Sequence, residues 1–466
     1  MDPESRLQPS ASSTQVSQRH LARRTSSDEP ASKGAKKAPL TVLATMHTPM
    51  TSRDPFEAHR ASTNLELLFD LTLVIAISTI SAQFSEHVLI NGAGSVGEAV
   101  LRGTMTFSAC WICWMGFVWF ATGYDVDDFI MRIGTLGQMA GVLVIANGVP
   151  AGFQYLDFAE ITWGYVIMRV FYIVFFRLRA AYQNPPTRIQ NLKHAGLTIL
   201  LQVGWVGRLW SPSTENDKAW VVSTFSILGC LEFLLPFVAE NFGTSNLPFH
   251  PHHVAERYGG FTIIIIGECI LSISTATKNA LSGGSLDFES IKIGLGGLIF
   301  LFTLWYLYFI IPFGHLLSRQ PHRAFLWGYG HYVIHAPLTF VAAGLSIAAQ
   351  VRNAKEDTAA LGKASILIIG VSSSLYIVLL NLLSLMLTKF RFQYFGPKIA
   401  ACTVLLLMSA FLPNSGALSV GDIMLLLNIP VLLLLGYTVV VVGLNDPFGL
   451  GREEDSGSDM GSLRGD

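Results

Sequence analysis

Apolar runs near twenty residues recur along this chain from about residue 66 to about residue 443. Each is long enough to cross a hydrocarbon core of roughly 30 Å. No other feature narrows the fold as much, because lipid offers no partner for backbone N–H and C=O groups. Only helices or closed barrels can span it. The runs are continuous, not ten-residue alternations, so they read as helices. The expected fold is all-α: a polytopic integral membrane protein of about twelve transmembrane helices. Approximate spans are 66–83, 99–121, 129–150, 158–180, 193–210, 219–239, 256–276, 290–312, 324–349, 363–387, 396–412 and 420–443. The weakest is 193–210, which carries Gln202 and Arg208. Without it the C-terminus would lie on the other side.

Composition agrees. Charged residues are 14% of the chain and hydrophobic residues 51%, where an ordinary soluble domain has roughly 25% charged. A soluble enzyme, a secreted disulfide scaffold and a disordered protein are excluded. The net charge of −1 gives no basic excess for nucleic acid. The five cysteines lie inside apolar runs, where a thiol behaves as a small hydrophobe. Cys110 and Cys113 have redox-motif spacing, but in a membrane segment they read as structural. No cofactor is expected. The partners expected are the lipid bilayer and a small ion or polar solute, with a homo-oligomer left open.

Residues 1–55 are a polar tail without a signal-peptide core, expected to be disordered. Arg23-Arg24-Thr25-Ser26 has the pattern of a basophilic kinase site. The acidic tail from 446 to 466 also reads as disordered. Between them an offset of 190 superposes Glu66 on Glu256 and Thr72 on Thr262. This suggests two related six-helix halves, 56–245 and 246–445, parallel in the membrane.

Acidic residues in a bilayer are expensive and mark function. Glu66 and Asp70 are spaced i,i+4 and share one face, with His59 and Arg60 just upstream. Helix seven brings Glu256, Arg257 and, about three turns deeper, Glu268. Helix nine brings His331 and His335, again i,i+4. Two histidines so spaced suit a metal, a proton relay or plain interhelical bonding; the metal is left unknown. Glu66, Asp70, Glu256, Glu268, His331 and His335 are the expected ion or solute pathway, with Arg60, Arg257 and Arg169 as charge partners. Arg169 and Glu232 lie mid-helix and are expected to need partners, either each other or the acids above. Arg102 and Glu160 are expected to snorkel, Arg132 to pair locally with its neighbouring aspartates, and Trp111 and Trp114 to pack or belt the interface.

Several stretches resemble the low temperature requirement A (LtrA) family of membrane proteins. They are Glu66-Leu67-Leu68-Phe69-Asp70-Leu71, His253-Val254-Ala255-Glu256-Arg257-Tyr258-Gly259, Gly267-Glu268, Trp305-Tyr306-Leu307-Tyr308-Phe309, and Tyr329-Gly330-His331 with His335. The Gly259-Gly260 pair and the long polar N-terminus depart from its pattern. The resemblance implies a multi-pass membrane protein linked to growth in the cold. It carries no reaction and no catalytic residue. The expected role is transport or conduction of a small ion or polar solute. The alternatives are a membrane-embedded enzyme acting on a lipid or hydrophobic metabolite, and a membrane scaffold or sensor.

Lys and Arg favour the side that holds the N-terminus. Arg177, Arg179, Arg188, Lys193, Arg257, Arg319, Arg323, Lys389, Arg391 and Lys398 are expected there, and the opposite loops carry fewer. Both termini are therefore expected in the cytosol. In a variant lacking the five native cysteines, single cysteines at residues 84–98 and 277–289 should label from outside, and one in the N-terminal tail should not. Labelling of the tail from outside would reverse the orientation.

Overall fold

A computed structural model describes residues 46–53, 61–124, 126–210, 217–241, 249–281, 287–351, 358–388, 392–445 and 448. Arg60, the Arg23–Ser26 site and the acidic tail lie outside them. Among the described residues there is no strand; an isolated bridge joins Ser52 to Tyr124. The helices are α1 (Asn64–Asn91), α2 (Val96–Gly123), α3 (Phe129–Tyr155), α4 (Ala159–Gln183), α5 (Arg188–Arg208) and α6 (Lys218–Asn241). They continue as α7 (Pro251–Leu281), α8 (Phe288–Phe309, resumed over Phe313–Arg319) and α9 (Ala324–Gly330 and Tyr332–Gln350). The last are α10 (Thr358–Leu387), α11 (Phe392–Phe411) and α12 (Val420–Asn445).

Among the described residues, eleven helices are long and apolar enough to cross a membrane; α5 is the helix left out. Its 21 residues suffice in length, at about 1.5 Å each. Its composition does not, because Gln190, Asn191, His194 and Gln202 are buried in it. Apolar side chains cover the outside, and charged groups are buried within a largely apolar core. Leu67, Leu71, Ile75, Leu136, Leu433 and Val440 are exposed, while Arg102, Arg169, Arg257, Glu66, Asp70 and Glu232 are buried. A multi-pass membrane protein has this inversion, since its outer surface meets acyl chains.

Local chemistry explains the helix ends. Thr63 and Glu66 form a reciprocal capping box at the start of α1, satisfying two otherwise orphaned amides. Asp128 caps α3 and Asp287 caps α8. α8 breaks at Pro312, which lacks an N–H and disfavours helix in the preceding residue. Within α4, residues Tyr172–Leu178 widen into a π-helix.

The packing partners recur. α1 packs on α2 and α3, α3 on α4, α4 on α5, α5 on α6 and α2 on α6. Likewise α7 packs on α8 and α9, α9 on α10, α10 on α11, α11 on α12 and α8 on α12. Between the two sets, α1 meets α7 and α9, and α2 meets the same pair.

The crossing of α3 and α4 depends on glycine. A Cβ on Gly141 would sit 2.6 Å from the Met168 nitrogen, and one on Gly164 would sit 2.5 Å from the Ile145 nitrogen. Small residues of this kind let membrane helices approach to backbone contact.

Residues 46–53, expected within the disordered tail, are instead docked on the helix ends. Met50 is fully buried. The Thr48 amide donates to Asp128 at 2.8 Å, and the Met50 amide donates to Gln183 at 2.9 Å. Arg179 donates to the Thr48 carbonyl at 2.8 Å and to Asp128 at 3.0 Å. A few backbone hydrogen bonds and one apolar anchor outweigh the polar composition. Burial works against the Asp128 carboxylate, but the Arg179 guanidinium and the amides of Thr48 and Met131 hold its pKa below the usual value.

Gly164→Leu should cost about 3 kcal/mol or more, since overpacking at backbone contact cannot relax; thermal unfolding in detergent reads it. A carboxylate with a depressed folded-state pKa stabilises above its unfolded pKa, near 4, and loses that contribution as pH falls through the lower folded value. Residues 46–53 should thus stay protected from protease between pH 7 and about pH 4, and become cleavable in Asp128→Asn. Equal protection in the variant would rule out this role for Asp128.

Candidate functional site

Glu66 and Asp70 stand one turn apart on α1. His253 and Arg257 stand one turn apart on α7. The pairs meet at a constant separation of 187 residues, Glu66 with His253 and Asp70 with Arg257. The same order along both helices means that α1 and α7 run parallel, with their first turns side by side.

In the upper rung, the Glu66 carboxylate lies 3.3 Å from His253 Nε2. A carboxylate only accepts, so Nε2 is the donor. The other ring nitrogen is 3.2 Å from the Thr122 hydroxyl, which also accepts the His250 amide at 3.4 Å. In the lower rung, Arg257 donates to Asp70 Oδ1 at 2.6 Å and the Trp114 indole donates to the same oxygen at 2.9 Å. All four rung residues are buried, with Glu66 and Asp70 each 3% exposed. Among the described residues, Arg257 Nε and Nη1 have no acceptor. Such a guanidinium keeps donors in reserve for an oxygen-bearing partner. Glu256 lies outside the ladder. It is exposed and accepts from the Ser62 amide and hydroxyl at 3.3 and 3.1 Å.

His331 and His335 occupy an adjoining aromatic chamber and are both fully buried. His331 sits at the turn between the two parts of α9. The Trp111 indole donates to His335 Nδ1 at 3.2 Å. The His335 proton is therefore on Nε2, 3.0 Å from the Thr262 hydroxyl, which donates to the Tyr258 carbonyl at 3.0 Å. His331 Nδ1 is 3.0 Å from the Trp327 carbonyl, which only accepts. Its Nε2 is 2.9 Å from the Tyr308 hydroxyl. Every ring nitrogen of the two histidines is engaged. Neither has a lone pair left for a metal, and no group of three or more His, Cys, Asp or Glu among the described residues could hold one. Trp114 joins the two centres, bonding Asp70 while lying edge-on to His335 with ring centres 6.2 Å apart.

The structure thus unites Glu66, Asp70 and Arg257 and sets His331 and His335 beside them. Glu268 stands apart. It lies eleven residues beyond Arg257, about 16 Å along the helix, largely buried and facing Ser78 of α1. Arg169 belongs to a different network. It donates to Glu232 at 3.0 Å and to the Tyr165 hydroxyl at 2.7 Å, and Gln202 of α5 donates to Glu232 at 3.1 Å. The Arg169–Glu232 pair expected from sequence is therefore present, and Gln202 completes it.

Other expectations change. Arg102 does not snorkel. It is 1% exposed and bonds Glu98 and the Phe153 carbonyl, because a helix neighbour supplies acceptors that the interface would otherwise supply. Glu160 is exposed, and Arg132 pairs with Asp127 at 3.0 Å. Trp111 and Trp114 form no interface belt; both are fully buried with their N–H groups bonded to the site. His253 was passed over as a site residue. Its signal was available: a second i,i+4 pair, His253 and Arg257, complementary in charge to the first.

Removing one partner of a buried ion pair leaves an uncompensated charge, which costs about 3–5 kcal/mol. Arg257→Ala should show that loss in unfolding measurements. The double variant Asp70→Asn with Arg257→Ala should lose less than the sum of the single losses. Strict additivity would mean that the two groups do not interact.

Residues 61–443 match the family model described as bacterial low temperature requirement A protein (LtrA). An uncharacterised protein of Rhizobium meliloti (strain 1021) is 22% identical over 311 residues, which are 65% of this chain and 73% of the relative. No solved structure matches the chain. The family model covers most of the sequence, including both rungs of the ladder and the histidine chamber, and the chain belongs to the LtrA family of membrane proteins.

Proposed function

We propose that this protein transports or conducts a small ion or polar solute, and that the α1–α7 seam is its gate. The observation that carries the reading is the ladder itself: a buried ion pair, Asp70 with Arg257, and a carboxylate–imidazole contact, Glu66 with His253, both nearly sealed from solvent and joining two membrane helices. Burying an ion pair costs several kcal/mol per ion in desolvation, so it is a weak device for stability alone. As a gate it has a purpose, because separating α1 from α7 exposes two acids, an imidazole and a guanidinium to a passing solute. The two unused donors of Arg257 suit a solute or hydrated ion with an acceptor oxygen. His331 and His335 support the seam from behind, through Trp111 and Trp114.

The same geometry supports twelve crossings in two related halves. Helices that start side by side and run parallel enter from the same face. The number of crossings from α1 through α6 is then even, which requires α5 to cross with the other five. The buried polar residues of α5 meet Glu232 and its neighbours instead of lipid. The repeated packing order of α1–α6 and α7–α12 and the interior prolines of α3 and α9, and of α6 and α12, support the repeat. With the Lys and Arg distribution, both termini lie in the cytosol.

Purified protein in liposomes, screened with monovalent cations, protons and small polar solutes, should show a flux that empty liposomes lack. Glu66→Gln keeps the shape and the capping oxygen but removes the charge, so it should cut that flux at least about ten-fold, the effect of roughly 1.4 kcal/mol on a barrier. Its melting temperature should stay near wild type. Wild-type flux in both Glu66→Gln and Asp70→Asn would end the gate assignment.

A further inference from the structure

A second feature lies outside the ladder. Where α8 breaks, the chain opens a cavity of about 280 Å³ between α8, α10, α11 and α12. Its walls are Ile310, Ile311, Leu316, Leu385, Val441 and Val442. Its polar groups are Arg319, Asn381, Ser384, Thr388, Lys398 and Tyr437. No Asp or Glu lines it. Among the described residues, two cations therefore face a chamber of mixed apolar and uncharged polar lining.

Asn381 makes this a built site. Its side chain is 2% exposed and lines the cavity. The Oδ1 accepts from Lys398 Nζ at 3.1 Å, which orients the amide, while Nδ2 has no acceptor among the described residues. A buried amide donor without a partner costs about 1–3 kcal/mol. Lys398, held from one side by Asn381, keeps further N–H donors for another acceptor. The Arg319 guanidinium caps the mouth, donating to the Phe448 carbonyl at 2.7 Å. Hydroxyls of Ser384 and Thr388 bond backward to helix carbonyls at 2.8 and 2.9 Å, so their oxygens remain acceptors.

We infer that this cavity binds one anionic phospholipid, with the phosphate on Lys398, Asn381 Nδ2 and Arg319 and the start of an acyl chain along Ile310, Leu385 and Val441. The cations and the amide supply donors for an anionic oxygen cluster. The apolar wall excludes a fully hydrated ion as the whole occupant. The cavity sits where α8, α10 and α12 end and α11 begins, the face with the Lys and Arg excess, and the cytosolic leaflet is the anionic one. Pro312 interrupts α8 beside the site, between Ile310 and Ile311 on one side and Leu316 and Arg319 on the other.

Full-length protein, delipidated in uncharged detergent, tests the assignment by native mass spectrometry and thermal unfolding. Probes are dioleoyl phosphatidic acid, dioleoyl phosphatidylcholine and inorganic phosphate. Phosphatidic acid should bind saturably and raise the melting temperature, while the other two do neither. Lys398→Gln should weaken that binding about ten-fold, the loss of one charge-assisted contact, and Lys398→Arg should restore it. Ser384→Phe fills the cavity without touching a charge and should abolish binding; it decides the matter if Lys398→Gln fails to fold. Equal binding of phosphatidylcholine, or undiminished binding in Ser384→Phe, would overturn the site. Inorganic phosphate matching phosphatidic acid would replace the lipid with a free anion and overturn the lipid assignment.

Discussion

The contact between Asp70 and Arg257 governs much of this architecture. An aspartate alone at that depth on α1 would be expelled or neutralised, and so would an arginine alone on α7. At 2.6 Å each is the other's solvent. The Glu66–His253 rung one turn away sets register and direction, because two rungs in the same order cannot form between antiparallel helices. From that constraint follows the adjacency of α1 and α7 along their first turns.

The surroundings of the ladder make the charges matter. Trp114, Phe261 and Tyr258 pack tightly, with Trp114 stacked on Phe261 at 4.2 Å between ring centres. An aromatic shell excludes water and keeps the local dielectric low, which strengthens each polar contact and raises the cost of breaking it. The indole N–H groups of Trp111 and Trp114 bring polarity to one side of an otherwise apolar wall. One helix, α2, thereby serves both the carboxylates and the histidines. A second buried pair, Arg169 with Glu232, ties α4, α5 and α6 in the same manner. Polar pairing therefore holds the bundle at two separate points, while glycine contact holds α3 to α4 between them.

Much of this was legible in the amino-acid sequence. The helical class, the location of eleven membrane helices and the ordered series of family residues follow from run length and residue identity. The i,i+4 spacing of Glu66 and Asp70 announced a shared face, and so did that of His331 and His335. Two mid-membrane charges, Arg169 and Glu232, announced a need for partners, and the structure chose between each other and the acids of the ladder. The docked stretch 46–53 was not legible, because its polar composition is that of a tail. Its order comes from the Asp128 and Arg179 partners on distant helices.

Run length and polarity are local properties, so the chain alone determined that this is a multi-pass helical membrane protein and which residues carry its costly charges. Partner choice is not local. The meeting of Asp70 with Arg257, of Glu66 with His253 and of Trp111 with His335 depends on which helix faces sit together, and these pairs lie 187, 187 and 224 residues apart. The separation of Glu268 from the ladder, and the polar centre of α5 turned to Glu232 rather than to lipid, were likewise decided by packing. A buried charge takes the nearest complementary group in space, whatever its distance along the chain.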